Sequence, residues 1–444
     1  MASGDLTGGT RLNGYVGAYA DVATRPGGKR TVGGRAVTSV SLDVGHLAAP
    51  LEAPQLAGPA ARLDFLDGIR ALAALFVVLH HVYLSVYDGF PTNTGPAVLT
   101  PLLYGHFGVA VFIVVSGFSL GLAPAKRGWD LGRGGYWTFM RRRAWRIIPP
   151  YWAALAVSVA LVAVLGIRTH DAVSWKGVAT HFLLVQDLVE GASPNGAFWS
   201  IAVEWQLYWV FPLLLLVRRL WGPVVLTALA VSAAVAIGMA SDHGGGVVVQ
   251  KLLAVSPQLG ALFVLGLVAA AATSRRAILG ARRLWGGLAL AAGLSAVLAC
   301  AWLGTERAIA DLYWLDLLVG LATACCLAYA TEAATSRTRR ALEHKPLLSV
   351  GRFSYSLYLI HAPVLLVAWV FVVQPLDVSS GAKLAVMMGV VVPLIIAASY
   401  GFHVAVERPF IEHRSWAELA GTGSAGDPLI LLARSGPEVA ASKN

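Results

Sequence analysis

Charge is what this chain has least of. Of its 444 residues only 13% are Asp, Glu, Lys or Arg, about half the share of an ordinary soluble domain. Acidic residues are the scarcer kind, 24 against 34 basic ones, so the formal charge is +10. Cysteine is nearly absent. Cys300, Cys325 and Cys326 all sit in apolar runs, which excludes a disulfide framework and any cysteine metal spacing. No apolar segment follows the N-terminus, so no cleavable signal peptide is expected. The sequence has no glycine-rich phosphate cradle, zinc motif or nucleophile elbow, which argues against hydrolases of those kinds, and no metal site is expected. The basic residues stand between apolar runs and form no continuous patch. That pattern orients a chain in a lipid bilayer and argues against nucleic acid as a partner.

What the chain has in quantity is long apolar runs. It is 57% hydrophobic, with a mean hydropathy of +0.67. Runs of spanning length fall at roughly 65–87, 103–123, 149–166, 197–217, 221–241, 257–273, 284–304, 311–332, 353–373 and 383–406. The expected fold is an all-α polytopic membrane protein, a bundle of about ten transmembrane helices. Residues 1–62 and 415–444 are polar and rich in small residues, and are expected to be disordered tails around a membrane domain at 63–414. The loop 124–148 carries seven Lys or Arg residues, and further basic clusters fall near 218–219, 275–283 and 337–352. All of them lie on one side if the first span runs outward from the cytosol, which puts both termini in the cytosol. The scheme requires 168–196 to stay outside, so its short run THFLLVQDLV is expected to be a re-entrant or surface helix.

The first run, LDFLDGIRALAALFVVLHHVYLSVY, places Asp67, Arg70, His80 and His81 where lipid would forbid them. An ionisable group inside a span costs at least a few kcal/mol and marks a candidate functional site. Eleven residues separate Arg70 from His81. That is about 1,100° of rotation and about 16 Å of rise, so the two share one helix face. His80 is turned about 80° away from Arg70. Later runs repeat the theme. In HFGVAVFIVVSGFSLG, Gly108, Ser116 and Gly117 suit close helix packing or a backbone approach to a ligand. In FMRRRAWRIIPPYW, four arginines occupy six positions. Arg143 and Arg146 share a face of what reads as a short interfacial helix, suited to anchoring at the membrane surface or to holding phosphate. In NGAFWSIAVEWQLYWVFP, Ser200, Glu204 and Tyr208 make a polar stripe. Glu204 is expected about two turns in from the outer face, at a depth similar to His81. In FSYSLYLIHAPV, Ser354, Tyr358 and His361 form another stripe, with His361 in the cytosolic half. Glu407-Arg408-Pro409 reads as an exit cap with a local ion pair.

These blocks, in this order, resemble the membrane-bound acyltransferase-3 family across roughly Leu63 to Phe410. Its opening motif separates an Arg and a His by ten residues, which maps to Arg70 and His81. Ala71 stands where Gly is usual, and His80 adds a second imidazole. The resemblance implies transfer of an acyl group, often acetyl, from acyl-CoA to a hydroxyl. The acceptors it implies are envelope glycans or glycosylated small molecules such as natural products. It implies no permanently bound cofactor, with acetyl-CoA as donor substrate and the bilayer as surroundings; the Ala-, Gly- and Arg-rich composition points to a GC-rich bacterium, so the expected location is a bacterial plasma membrane.

Set beside that chemistry, Arg143 and Arg146 are expected to hold the CoA phosphates, with Arg70 at the entrance of the pantetheine channel. His81 is expected as general base, with Glu204 orienting its imidazole. Asp67, Ser116, Tyr358 and His361 are expected to contact substrate. Two rival readings are a proton-coupled transporter or flippase and a scaffold whose polar residues only join helices. Arg70 and His81 on one face, together with the arginine cluster, favour the enzyme. The topology is testable: a cysteine at Gly191 should react with an impermeant thiol reagent on intact cells, and labelling only after lysis would overturn the scheme.

Overall fold

The structure, a computed structural model, describes residues 63–92, 95–132, 134–165, 174–189, 193–274, 281–333 and 335–413. The expected tails 1–62 and 415–444, and the labelling position Gly191, lie outside the described residues. Every regular element among the described residues is helical. Hydrocarbon offers the backbone no hydrogen bonds, so a spanning segment must satisfy its own N–H and C=O groups. In order the helices are α1 (Phe65–Val86), a 3₁₀ segment (Ala97–Tyr104), α2 (His106–Ala125), α3 (Gly135–Leu165), α4 (Trp175–Phe182), α5 (Trp199–Asp242), α6 (Val247–Ala254) and α7 (Pro257–Ser274). Then come α8 (Arg282–Leu303), α9 (Thr305–Ala310), α10 (Leu312–Glu332), α11 (Arg337–Leu342), α12 (Lys345–Arg352), α13 (Ser354–Ala368), α14 (Ser380–Val386), α15 (Val392–Phe402) and α16 (Arg408–Glu412). Single π-helical turns at Trp369–Val373, Met387–Val391 and His403–Glu407 continue the last two spans.

Among the described residues eight helices are long and apolar enough to cross a bilayer, and the bent pair α6–α7 makes a ninth. α5 has 44 residues, about 66 Å of helix, twice the hydrocarbon thickness. It cannot run straight. Trp199 at its start stacks on His106, the first residue of α2. Near its end a side chain at Gly238 would strike Tyr313 and Trp314, at the start of α10. Both helix starts lie at one end of the bundle, because His106 is bonded to Asp316 of α10. Between them Arg218 lies over Trp129, just past the far end of α2. The chain therefore doubles back at Gly222, whose φ of 88° and ψ of 176° break the helix. That φ favours glycine, and Pro223 then opens the second leg. Two of the expected spans, 197–217 and 221–241, are the two legs of α5.

The basic clusters gather at one end. Arg339 lies over Phe65 and Arg282 over Tyr329, and the Trp145 indole donates to the His413 carbonyl. The segregation expected from the loops is thus present in three dimensions. The core is built on close helix approach. A methyl group at Gly117 of α2 would overlap the Phe263 carbonyl of α7, and one at Gly266 of α7 would overlap the Val114 carbonyl of α2. Small residues give dispersion its short contacts in lipid. One expectation is corrected. The arginine cluster is not a separate interfacial helix, since α3 runs unbroken for 31 residues through Pro149 and Pro150. The residues before the first proline still form an intact helix start, so the span simply begins earlier.

At the end opposite the arginines, residues 174–189 and 193–198 cover the bundle. α4 has eight residues, too few to span, and Ser174 caps it by accepting from the Gly177 N–H. Tyr151 and Trp152 of α3 donate to the His181 and Phe182 carbonyls, and the Trp152 and Phe182 rings stack 4.4 Å apart. Burial pushes the Asp187 carboxyl up to about 7. A carboxyl whose folded pKa is raised holds its proton more tightly folded than unfolded, so stability falls as pH rises from the ordinary carboxylate range to about 7. Asp187→Asn should therefore unfold at a higher temperature than the native protein at pH 8 in detergent. The gap should narrow toward pH 5; a pH-independent gap would show that the carboxyl is not the cause.

Candidate active site

The site starts at Arg70, one turn into α1. Its Nη1 donates to Asp67 Oδ1 at 2.9 Å and its Nη2 to Ser119 Oγ of α2 at 2.8 Å. The i,i+3 carboxylate and the hydroxyl across the helix pair satisfy a guanidinium that lipid could not. Three residues before Ser119, the Ser116 hydroxyl donates to Glu204 Oε1 at 2.7 Å. Tyr208, one turn further along α5, donates to the same oxygen at 2.5 Å. Among the described residues both bonds to Glu204 end on Oε1, which leaves Oε2 to the space beside it.

That space is a cavity of about 170 Å³ lined by α1, α2, α3, α5 and α13. It holds on the order of ten waters, enough for a thin flexible chain and too little for a nucleotide. Along α2 it is lined from Val109 to Leu120, about 16 Å of rise. At one end stand Arg143 and Arg146 of α3 with Arg70; Glu204 and Ser116 form its waist; Ser200 and Tyr358 stand toward the other end. Tyr358 is fixed by two bonds. Its hydroxyl donates to the Ala197 carbonyl at 2.7 Å and so accepts from Ser200, 2.6 Å away. Five of the expected site residues beyond Arg70 therefore meet here: Arg143, Arg146, Ser116, Glu204 and Tyr358.

Three do not line the cavity. Asp67 is engaged with Arg70, so it supports a wall residue and does not itself face the space. His81 and His361 pack on each other, ring centroids 5.0 Å apart, and His80 adds a third ring 5.0 Å from His81. His361 touches Tyr358 at 5.7 Å, which places this row beside the Ser200–Tyr358 end. The expected pairing of His81 with Glu204 is not made. The partners of Glu204 are Ser116 and Tyr208, while His81 Nδ1 bonds to the Val77 carbonyl at 2.8 Å.

Depth is the reason. His80 lies against Gly105, just before α2 begins, whereas Ser116 is eleven residues, about 16 Å, further along. Glu204 is thus closer in depth to Arg70 than to His81. α5 does not start where α1 ends. Trp199 lies level with His106, and α1 continues past His80 to Val86. His361 is corrected by the same contact: it lies at the depth of His81, not in the arginine half.

Two polar links differ from what the residues suggested. His106 Nε2 and Asp316 Oδ2 are 2.9 Å apart, with the carboxylate fully buried and the imidazole flat on Trp199 at 5.4 Å. The signal was there, because Asp316 is an acid inside an apolar run. Glu407 is the second. It is not paired with Arg408, which bonds to Glu412. The π-turn carries Glu407 inward, where Ser356 donates to it at 2.5 Å and His403 Nδ1 lies 2.8 Å away.

The acyltransferase domain family model matches residues 63–404, most of the chain. The chain belongs to the acyltransferase-3 family. No curated protein and no solved structure matches it. It is therefore a multi-pass membrane acyltransferase, and its match spans every wall of the cavity from α1 to α13. The His106–Asp316 link joins α2 to α10 of this acyltransferase, and its cost can be read from stability. His106→Phe should lower stability by about 1–3 kcal/mol, since it leaves a buried acceptor unpaired. His106→Phe with Asp316→Leu should recover most of that loss in a thermal melt. Additive losses would mean that the two side chains act independently.

Proposed function

We propose that this acyltransferase takes an acetyl group from acetyl-CoA on the cytosolic side of a bacterial plasma membrane and delivers it to a hydroxyl of a carbohydrate-containing acceptor, an envelope glycan or a glycosylated natural product. In this reading the chain spans the membrane ten times with both termini in the cytosol. The observation that carries it is the cavity, with three arginines at one end and the imidazole row beside the other. Positive-inside bias assigns the arginine end to the cytosol. CoA is cytosolic and polyanionic, and guanidinium forks bind phosphate in bidentate fashion. Arg143 and Arg146 hold the phosphates at the mouth, and Arg70 stands at the start of the channel.

The pantetheine arm has about twelve bonds between phosphate and sulfur, the length of roughly four extended residues, ~14 Å. That matches the ~16 Å of α2 along the cavity and leaves the nucleotide outside. Glu204 Oε2 and the Tyr358–Ser200 pair offer hydrogen bonds to the arm's amides, and Ser116 holds Glu204 in place. The thioester then lies at the Ser200–Tyr358 end. The acceptor approaches from the far side, beneath α4. His81 carries its Nδ1 proton on the Val77 carbonyl, because a carbonyl only accepts. Its Nε2 lone pair is therefore available to take the hydroxyl proton as the oxygen attacks the thioester.

The test is acetyl transfer from radiolabelled acetyl-CoA by the purified protein, with a membrane extract of the source cell as acceptor. CoA release that depends on the extract supports the reading; none sinks it. A transporter would release none. His81→Ala should lose about 10²–10⁴ in turnover while keeping acetyl-CoA binding, and His80→Ala should lose far less. Replacing both Arg143 and Arg146 by Ala should raise the KM for acetyl-CoA and leave that for the acceptor unchanged. An unchanged donor KM would remove the phosphate site.

A further inference from the structure

His361 is fully buried in the middle of the molecule. Its Nδ1 lies 2.7 Å from the Tyr358 carbonyl and 3.2 Å from the Leu357 carbonyl. Carbonyls only accept, so Nδ1 carries the proton and Nε2 the lone pair. Among the described residues Nε2 has no hydrogen-bond partner. His81 is in the same tautomer for the same reason, with Nδ1 on the Val77 carbonyl. Two neighbouring imidazoles, 5.0 Å apart, thus each keep a basic nitrogen unspent. A buried acceptor without a donor costs free energy, and His361 Nε2 is one. No group of His, Cys, Asp or Glu among the described residues could hold a metal there.

The two rings differ in what they continue. Among the described residues Arg70 alone represents α1 in the cavity wall, whereas α13 contributes Ser354, Tyr355 and Tyr358, and His361 lies one turn beyond Tyr358 on the same helix, against its ring. The reaction has the same polarity. Its nucleophile comes from the side opposite the arginines and its leaving sulfur from the arginine side. One proton must therefore travel from the acceptor oxygen to the CoA sulfur.

We propose that His361 is the second proton carrier of the transfer: it takes the proton from His81 and gives it to the departing CoA thiolate. This rests on the reading of the site as an acetyl-CoA transferase. The acceptor O–H bond breaks as an N–H bond forms at His81 Nε2. The oxygen adds to the thioester carbonyl, and the tetrahedral adduct collapses with loss of the C–S bond. The proton passes from His81 Nε2 to His361 Nε2 and then to sulfur. Both imidazoles end neutral, the products are acetylated acceptor and CoA thiol, and no proton is gained or lost. Each ring receives and releases at one nitrogen, so neither backbone bond is broken during the cycle.

The test compares acetyl-CoA with its selenoester analogue, which keeps the nucleotide and arm but whose selenolate leaves at neutral pH without a proton. With membrane extract as acceptor, His361→Leu should lose about 10²–10⁴ in kcat with acetyl-CoA and less than tenfold with the selenoester, at unchanged KM for both donors. His81→Ala should fail with both. Equal losses for His361→Leu on the two donors, or no loss on acetyl-CoA, would overturn the proposal. His361→Gln, closer in size and polar, provides the same comparison if the leucine variant does not fold. Native protein that transfers from neither donor would instead refute the transferase reading itself.

Discussion

Lipid offers no hydrogen bonds, so a polar side chain inside this bundle must find its partner on a neighbouring helix. That constraint sets the register of the helices around the cavity. Arg70 ties α1 to α2 through Ser119, Ser116 ties α2 to α5 through Glu204, and Tyr358 ties α13 to the start of α5 through Ala197 and Ser200. His106 joins α2 to α10, and Ser356 joins α13 to Glu407. Apolar packing alone would let these helices slide, since lipid tails are as apolar as leucine. A slide of one residue at any of these links would strand a charge, a carboxylate or a hydroxyl in hydrocarbon.

The same bonds shape the passage. Polar groups that satisfy one another across helices hold the helix walls apart, and the cavity lies between them. Its two ends differ in chemistry because the ends of the bundle differ. The basic loops collect at the α1 start, and α4 is pinned over the other end by Tyr151 and Trp152. In the proposed reading these two ends serve a donor with phosphates and an acceptor with hydroxyls as separate entrances. The transfer reading then asks for one proton to cross from the hydroxyl to the sulfur, and the imidazoles of α1 and α13 meet where that crossing would take place.

Much of this was legible in the residues. Apolar runs of spanning length fix helical spans, because hydrocarbon permits little else. Basic loops fix which ends lie together. Ordered blocks with ionisable residues in apolar runs pointed to the family and to Arg70, Ser116, Arg143, Arg146, Glu204 and Tyr358, which meet in one cavity. Each is identifiable on its own helix, since helical periodicity is a local property. What the sequence could not determine is how far one helix slides against the next. Depth was counted from assumed span edges, and it failed where α5 starts level with His106 while α1 runs on to Val86. That error paired His81 with Glu204 and set His361 in the wrong half of its span. Only the tertiary structure decides which polar groups become neighbours, because those contacts join residues as far apart in sequence as His106 and Asp316. The partner of His81 is one such contact.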